Sequence, residues 1–349
     1  MVAQNHLPKP QDHSAIWVHK DENVRFLSDF TGDSTELLIT PQRHLLITDS
    51  RYTEQAMAEA EGWEVVNHQG QLYATISKIL QEENISLLSV EASSLSVIAY
   101  WKLQEQFPEL VINNIDLDPL RQVKTDTELY YLKKAAQIAA NALQDILPQI
   151  VAQRSENEVR IALEQAMLAH GSEHTAFATI VASGKRSALP HGTATDKRIE
   201  IGDFVTIDFG AVYRGYHSDM TRTFVIGSAS DRQRQLYDAV ARVQKESVKK
   251  VRSGVAAHTI DAFARQEFVK AGLNQYFIHS LGHGVGLEIH ELPTLSPKCE
   301  TVLEPNMVVT VEPGIYISGY GGIRIEDTVV VKEGEPEIIT LFPHELMEL

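Results

Sequence analysis

The stretch DFVTIDFGAVYRGYHSDMTRTFVIG, Asp203–Gly227, sets two alternating apolar runs on either side of a segment rich in glycine and tyrosine. Later in the chain NMVVTVEPGIYISGYGGIRIEDTVVV, Asn306–Val331, repeats the design. Period-two alternation around such a segment is the pattern of a β-hairpin. In each hairpin the outgoing strand ends near one carboxylate and the returning strand starts near another. Asp208 and Asp219 are centred on Tyr213-Arg214, and Glu312 and Glu326 on Gly319. Symmetric closure places each carboxylate across from its partner, with Cβ atoms about 4.5–5.5 Å apart. The two hairpins predict an α+β domain with a curved antiparallel sheet, its two halves meeting at one site.

Opposed like charges destabilise a sheet, and burying them unpaired costs several kcal/mol. Runs as apolar as FVTIDFG and MVVTVEPG therefore call for a cation between the carboxylates. Arg222 and Arg324 are the main basic residues nearby, and two monovalent cations do not balance four carboxylates. Two divalent ions do, at the spacing of about 3.5–4 Å usual for such clusters. A site of carboxylates with little histidine favours a hard or borderline ion such as Mn²⁺ over a thiolate-type zinc site.

A third stretch, HSLGHGVGLEIHE, His279–Glu291, offers the missing imidazole. His279 and His283 have the spacing of a helical zinc motif, but Gly282 and Gly284 flank the second histidine, and glycine costs about 1 kcal/mol per helical position. The glycines lack the dinucleotide-binding spacing, and no P-loop lysine follows them. A loop and strand remain, with the backbone drawn close to the cluster and His283 completing the ligand set.

The rest of the chain sets the frame. Its 349 residues suffice for two domains, and its net charge of -16 makes nucleic acid and anionic membranes poor partners. The first fifteen residues hold no apolar core of a signal peptide, and no run of residues is apolar enough to span a membrane. One cysteine, Cys299, excludes an intrachain disulfide and points to a reducing, cytoplasmic setting; it is read as a bystander. From Ser14 to about Asp118, runs such as ELLIT and HLLIT alternate with helical patterns at Tyr73–Glu83 and Ser93–Phe107, the rhythm of an α/β domain. Polar NNIDLDPLRQVKTDTE places a boundary near residue 120, giving domains 1–120 and 121–349. Helices are predicted from Thr127 to about Ile146, from the capping box of Ser155 and Glu158, and at about 230–252 and 258–271. Strands are predicted at 177–182, 203–226, 307–317 and 323–332.

Asp208, Asp219, His283, Glu312 and Glu326, in this order and spacing, resemble the five ligands of the M24 "pita-bread" metallopeptidases. The likeness spans about residues 125–345, and FLSDFTGDSTELLITPQRHLLITDSRYTEQA is similar to the N-terminal domain of the prolidase and aminopeptidase P branch. The resemblance implies that Asp219 and Glu326 bridge two divalent ions, Mn²⁺ with Co²⁺ or Zn²⁺ as alternatives. Asp208 then holds one ion and His283 with Glu312 the other, a hydroxide shared by the ions is the nucleophile, and Glu312 handles the proton. It further implies that His191 in LPHGTATD and His290 in EIHELP flank the scissile bond, and that His279 lines a proline pocket. Arg324 and Tyr316 are assigned to substrate binding, Arg324 also being placed to orient a carboxylate ligand. The expected function is a homodimeric exopeptidase that cleaves Xaa-Pro dipeptides. An aminopeptidase acting on longer proline-containing peptides is the alternative, and a non-catalytic binding protein on the same fold is the rival of another class. A methionine aminopeptidase is disfavoured by the N-terminal domain.

Overall fold

The computed structural model describes residues 7–349; the polar lead Met1–His6, including that part of the signal-peptide reading, lies outside them. The chain divides into Met1–Arg121 and Gln122–Leu349. In the first unit the elements are β1 (Ser14–Val18), α1 (Asp21–Ser28), β2 (Glu36–Ile39), β3 (His44–Thr48), α2 (Thr53–Glu59), β4 (Glu64–Asn67), α3 (Leu72–Glu82), β5 (Leu87–Val90), α4 (Val97–Gln106) and β6 (Val111–Asn114). The strands form one mixed sheet of order β4-β3-β2-β1-β5-β6. Antiparallel β1–β2–β3 forms its middle, and parallel pairs lie on both flanks. Helix α3 buries Ile76, Ile79 and Leu80 at helical spacing against sheet residues such as Trp17, Leu38 and Leu88. This is the α/β domain expected from the alternating runs.

The second unit opens with α5 (Asp126–Ile146) and α6 (Glu156–Ala169), then β7 (Ile180–Ser183), β8 (Phe204–Phe209), β9 (Val212–Tyr213), β10 (Tyr216–His217) and β11 (Met220–Val225). Next come α7 (Asp231–Val248), α8 (Ala257–Lys270), β12 (Gly282–Gly284), β13 (Glu291–Leu295), β14 (Val308–Val311), β15 (Gly314–Ile317), β16 (Gly321–Arg324), β17 (Asp327–Val330) and β18 (Glu337–Ile338). Capping boxes open α5 at Thr125/Glu128, α6 at Ser155/Glu158 and α7 at Ser230/Gln233. The duplication is visible in the cores. Helices α5 and α6 bury Leu143, Val159 and Leu163 with Ile207 and Phe224 of the first hairpin. Helices α7 and α8 bury Val240, Ile260 and Phe268 with Val309, Val311 and Val329 of the second.

The antiparallel sheet expected is present, in several ladders. It is divided into ladders β11-β8-β7 and β13-β12-β14-β17-β18, with the short pairs β9–β10 and β15–β16 as hairpin tips. Breaks fall at Ser218-Asp219, Glu312-Pro313 and Ile325-Glu326. Pro313 has no N–H to continue a ladder, which accounts for one of them.

The two hairpins close differently. In the second, Ile317 faces Gly321, Gly314 faces Arg324 and Val311 faces Asp327, a register centred on Gly319 that sets Glu312 and Glu326 opposite each other at the break. In the first, the turn is Arg214-Gly215, both with positive φ, of 52° and 76°. That is a type I′ hairpin turn, one residue beyond the expected centre. Tyr213 therefore pairs with Tyr216, and Asp208 faces Thr221 rather than Asp219. The shift displaces the pairing by two residues, so the pleat that turns Asp208 toward one face is unchanged.

Candidate metal centre

Four backbone positions bring the carboxylates together. Asp208 stands within β8, Asp219 just before β11, Glu312 just after β14 and Glu326 just before β17. The Glu326 N–H donates to the Thr221 carbonyl at 3.2 Å, joining the second hairpin to the first. The Glu312 N–H donates to the Leu281 carbonyl at 2.9 Å, bringing that carboxylate beside β12 and His283. Donor atoms of Asp219, His283 and Glu326 lie within 4.8 Å of one another.

His283 shows what the cluster is built to hold. Its Nδ1 lies 3.0 Å from the Gly284 carbonyl, so the ring proton belongs there and Nε2 carries a lone pair. Burial, aided by the charge of His290, pushes the imidazole down to about 4, so it is neutral at ordinary pH. Yet Nε2 stands 3.5 Å from Asp219 Oδ2 and 3.4 Å from Glu312 Oε1. If both carboxylates are ionised, three acceptors face one another and repel; a proton taken up by a carboxyl relieves this in the metal-free chain, and a cation among them relieves it with all three groups deprotonated.

The carboxylates carry the same message. Burial first, then Glu326, Asp208 and Glu312, holds Asp219 well above the usual carboxylate range. Burial and the neighbouring Glu312 and Asp208 do the same to Glu326. Glu312 is pushed up to about 8 by burial, with Arg324 opposing and Asp208 adding to the rise. Oδ1 of Asp208 and Oε1 of Glu326 are buried without any hydrogen-bond partner. Buried acceptors without donors are costly, and together with an all-oxygen-and-imidazole donor set they fit divalent metal ions.

Arg324 is placed beside the carboxylate cluster. Its Nη2 donates to Asp208 Oδ2 at 2.6 Å, Nη1 to the Tyr316 hydroxyl at 2.7 Å and the Pro190 carbonyl at 3.1 Å, and Nε to Thr221 Oγ1 at 3.1 Å. Tyr316 Oη lies 3.0 Å from His279 Nε2, while His279 Nδ1 lies 2.7 Å from the Ser280 carbonyl. Burial pushes His279 down to about 4, so its neutral ring accepts the tyrosine proton. Both His279 nitrogens are thus engaged within the protein, and its ring packs against those of Phe277 and Tyr316. His290 is exposed, and its ring stands edge-on to that of His283 with centroids 4.3 Å apart. His191 is exposed in the turn that follows Pro190, whose carbonyl Arg324 holds.

Two threonines that the sequence reading passed over belong to the site. Thr221 donates to Glu326 Oε2 at 2.7 Å. Thr310 Oγ1 accepts from the His283 N–H at 3.0 Å and donates toward Glu312 Oε1 at 3.3 Å. Each stands two residues from a carboxylate of the cluster, in DMT and TVE, the spacing that keeps neighbours on one strand face.

The glycines of HSLGHGVGLEIHE have a different task from the one expected. A Cβ on Gly282 would lie 1.9 Å from the Thr310 carbonyl oxygen, and one on Gly284 2.5 Å from that of Leu292. They let β12 lie between β13 and β14, and the approach is to neighbouring strands rather than to the cluster.

The sequence matches the Metallopeptidase family M24 over residues 131–333. The chain belongs to this family. Residues 7–123 of the M24 chain also match the Creatinase/Prolidase N-terminal domain. A protein named Xaa-Pro dipeptidase, from Pyrococcus furiosus, is 44% identical over 266 residues, 76% of this chain and 76% of that protein. Among solved structures, an Xaa-Pro dipeptidase from Bacillus anthracis superposes with a TM-score of 0.94 at 43% identity, covering 96% of this chain and 95% of that one. An X-Pro aminopeptidase from Thermotoga maritima superposes with a TM-score of 0.88 at 38% identity, covering 96% and 95%. The M24 chain therefore has an α/β N-terminal domain followed by a pita-bread catalytic domain. No helix among its described residues is long and apolar enough to cross a membrane.

Proposed function

We propose that this M24 chain hydrolyses the Xaa-Pro bond of Xaa-Pro dipeptides, with domain 121–349 catalytic and 1–120 its N-terminal companion. The observation that carries the reading is the neutral His283 Nε2 facing Asp219 and Glu312, in a chain so similar to proteins named for that activity. Asp208, Asp219, His283, Glu312 and Glu326 would together hold two divalent ions. Bound there, the ions supply Lewis acidity, which polarises a carbonyl and lowers the pKa of a water toward neutrality. Manganese suits this donor set, which contains no thiolate.

The protein's own groups do the rest. Glu312, standing beside the position of the attacking water, would accept its proton and pass it to the leaving amine. His290, beside His283, and His191, in the turn tied down by Arg324, steady the carbonyl oxygen as charge develops on it. Arg324 fixes Asp208 and, through Tyr316, the ring of His279 against which proline would pack. A cytoplasmic homodimer is part of the same reading, supported by the lone cysteine and by family likeness.

A second reading, an aminopeptidase acting on longer Xaa-Pro peptides, is favoured by two observations. The Thermotoga maritima relative bears that name, and Arg324 spends its donors on Asp208, Tyr316, Thr221 and Pro190 instead of meeting a dipeptide's carboxylate. Assays of Mn²⁺-reconstituted protein on Ala-Pro, Ala-Pro-Ala and Ala-Ala separate the readings. Fast cleavage of Ala-Pro with slow Ala-Ala supports the dipeptidase, and preference for Ala-Pro-Ala supports the second reading. Equal rates on Ala-Pro and Ala-Ala, or ready cleavage of acetyl-Ala-Pro-Ala at its Ala-Pro bond, contradict both.

A further inference from the structure

Lys124 and Glu291 form an ion pair of 2.7 Å with both side chains almost wholly buried, 167 residues apart in sequence. None of the chemistry assigned above uses either residue. Glu291 follows His290 directly and opens β13, so its carboxylate lies inside the loop that links β12 to β13. There its Oε1 accepts the Glu288 N–H at 3.1 Å. Its Oε2 occupies the space a Cβ on Gly286 would need, at 2.3 Å. The loop is pinned from its other side as well, since the Gly286 carbonyl accepts the His217 N–H at 2.8 Å, two residues before Asp219. Lys124 is held in turn by its own backbone, which donates to the Asn306 carbonyl at 3.0 Å.

A glutamate inside a tight loop, held by a lysine from a distant segment, is a costly way to close a turn, because both ions lose their hydration. It does confer a defined geometry: one carboxylate sets the path of Gly286 to Glu291, and that path sets where the exposed His290 ring stands against His283. We propose that Lys124 and Glu291 are positioning residues that hold His290 over the metal centre. The proposal rests on the peptidase reading for its consequence in turnover, though not for its structural content.

The test uses full-length, metal-reconstituted protein carrying Glu291→Gln, Lys124→Met or Lys124→Arg, with His290→Ala alone and combined with Glu291→Gln. Expected results are unchanged metal content, kcat on Ala-Pro lowered about 10-fold or more in Glu291→Gln and Lys124→Met, KM changed little, and partial recovery in Lys124→Arg. Because the pair acts through His290, the combined variant should be no slower than His290→Ala alone. Additive losses, or normal kcat in Glu291→Gln, overturn the proposal. Crystal structures of the wild type and Glu291→Gln supply a readout independent of substrate. Displacement of the His290 ring from His283 is expected even if Ala-Pro proves not to be cleaved, and an unmoved ring overturns the proposal. Should Glu291→Gln fail to fold, the Lys124→Met and Lys124→Arg pair carries the same comparison.

Discussion

Nη2 of Arg324 donates to Oδ2 of Asp208 at 2.6 Å, while Oδ1 of the same carboxylate stays buried with no hydrogen bond. One oxygen is held by the protein and the other is left for a ligand. Arg324→Lys keeps the charge but cannot span Asp208, Tyr316, Thr221 and Pro190 together, since lysine offers a point charge in place of a planar fork. Metal should be retained and kcat should fall by roughly 10-fold or more, as for other losses of a positioned donor. Metal analysis beside steady-state kinetics checks this, and full activity in Arg324→Lys would refute it.

His191→Ala and His290→Ala should separate binding of metal from chemistry. His283 Nε2 faces Asp219 and Glu312, whereas His191 and His290 are exposed, so both variants should keep their metal and lose turnover by about 10²-fold if either steadies the oxyanion. Metal loss as deep as that of His283→Ala would remove them from this role.

The pH dependence of the metal-free protein has a definite sign. Glu312 in the folded chain is pushed up to about 8, above its unfolded value, so between the two pKa values the folded state binds more protons. Its contribution to stability is fully present below the unfolded value and is lost as pH rises through about 8. Asp219 and Glu326, shifted in the same direction, add to the trend. Melting of chelator-treated wild type and Glu312→Gln from pH 5 to 9 should show the wild type falling relative to the variant, and added metal should abolish the fall. A wild type that gains on the variant as pH rises would contradict the buried cluster.

Much of the fold could be read from period and punctuation. The second hairpin was legible because its arms are symmetrical about Gly319, and the helices because capping boxes and apolar spacing mark them. The first hairpin was misplaced by one residue, although a glycine at position 215 signals a type I′ turn at Arg214-Gly215. Of the site, the five proposed ligands stood out as carboxylates and a histidine within or beside apolar strands. Thr221, which meets Glu326 across 105 residues, did not, nor did Lys124 with Glu291. Neither pairing is local, and a threonine in a strand or a lysine before a helix is ordinary without its partner.

Gly282 tests the packing behind the site. Its Cβ would fall 1.9 Å from the Thr310 carbonyl oxygen, a backbone atom that cannot rotate away. Gly282→Ala should cost roughly 1–3 kcal/mol or more, as overpacking does, and should also weaken metal binding by shifting Thr310 from His283 and Glu312. Denaturant titration of the metal-loaded protein gives the first quantity and metal titration the second. A variant as stable as wild type would show that the strands are not so closely apposed.

The central claim is that Asp208, Asp219, His283, Glu312 and Glu326 together hold two divalent ions that the activity requires. Elemental analysis of protein purified without chelator, paired with Ala-Pro turnover, tests it most directly in the wild type and Asp219→Asn. The expected result is about two ions per wild-type chain, the number in a two-metal site. Asp219→Asn should lose both occupancy and turnover. Two ions and near-normal turnover in Asp219→Asn, or undiminished turnover in wild type stripped of metal, would contradict the account.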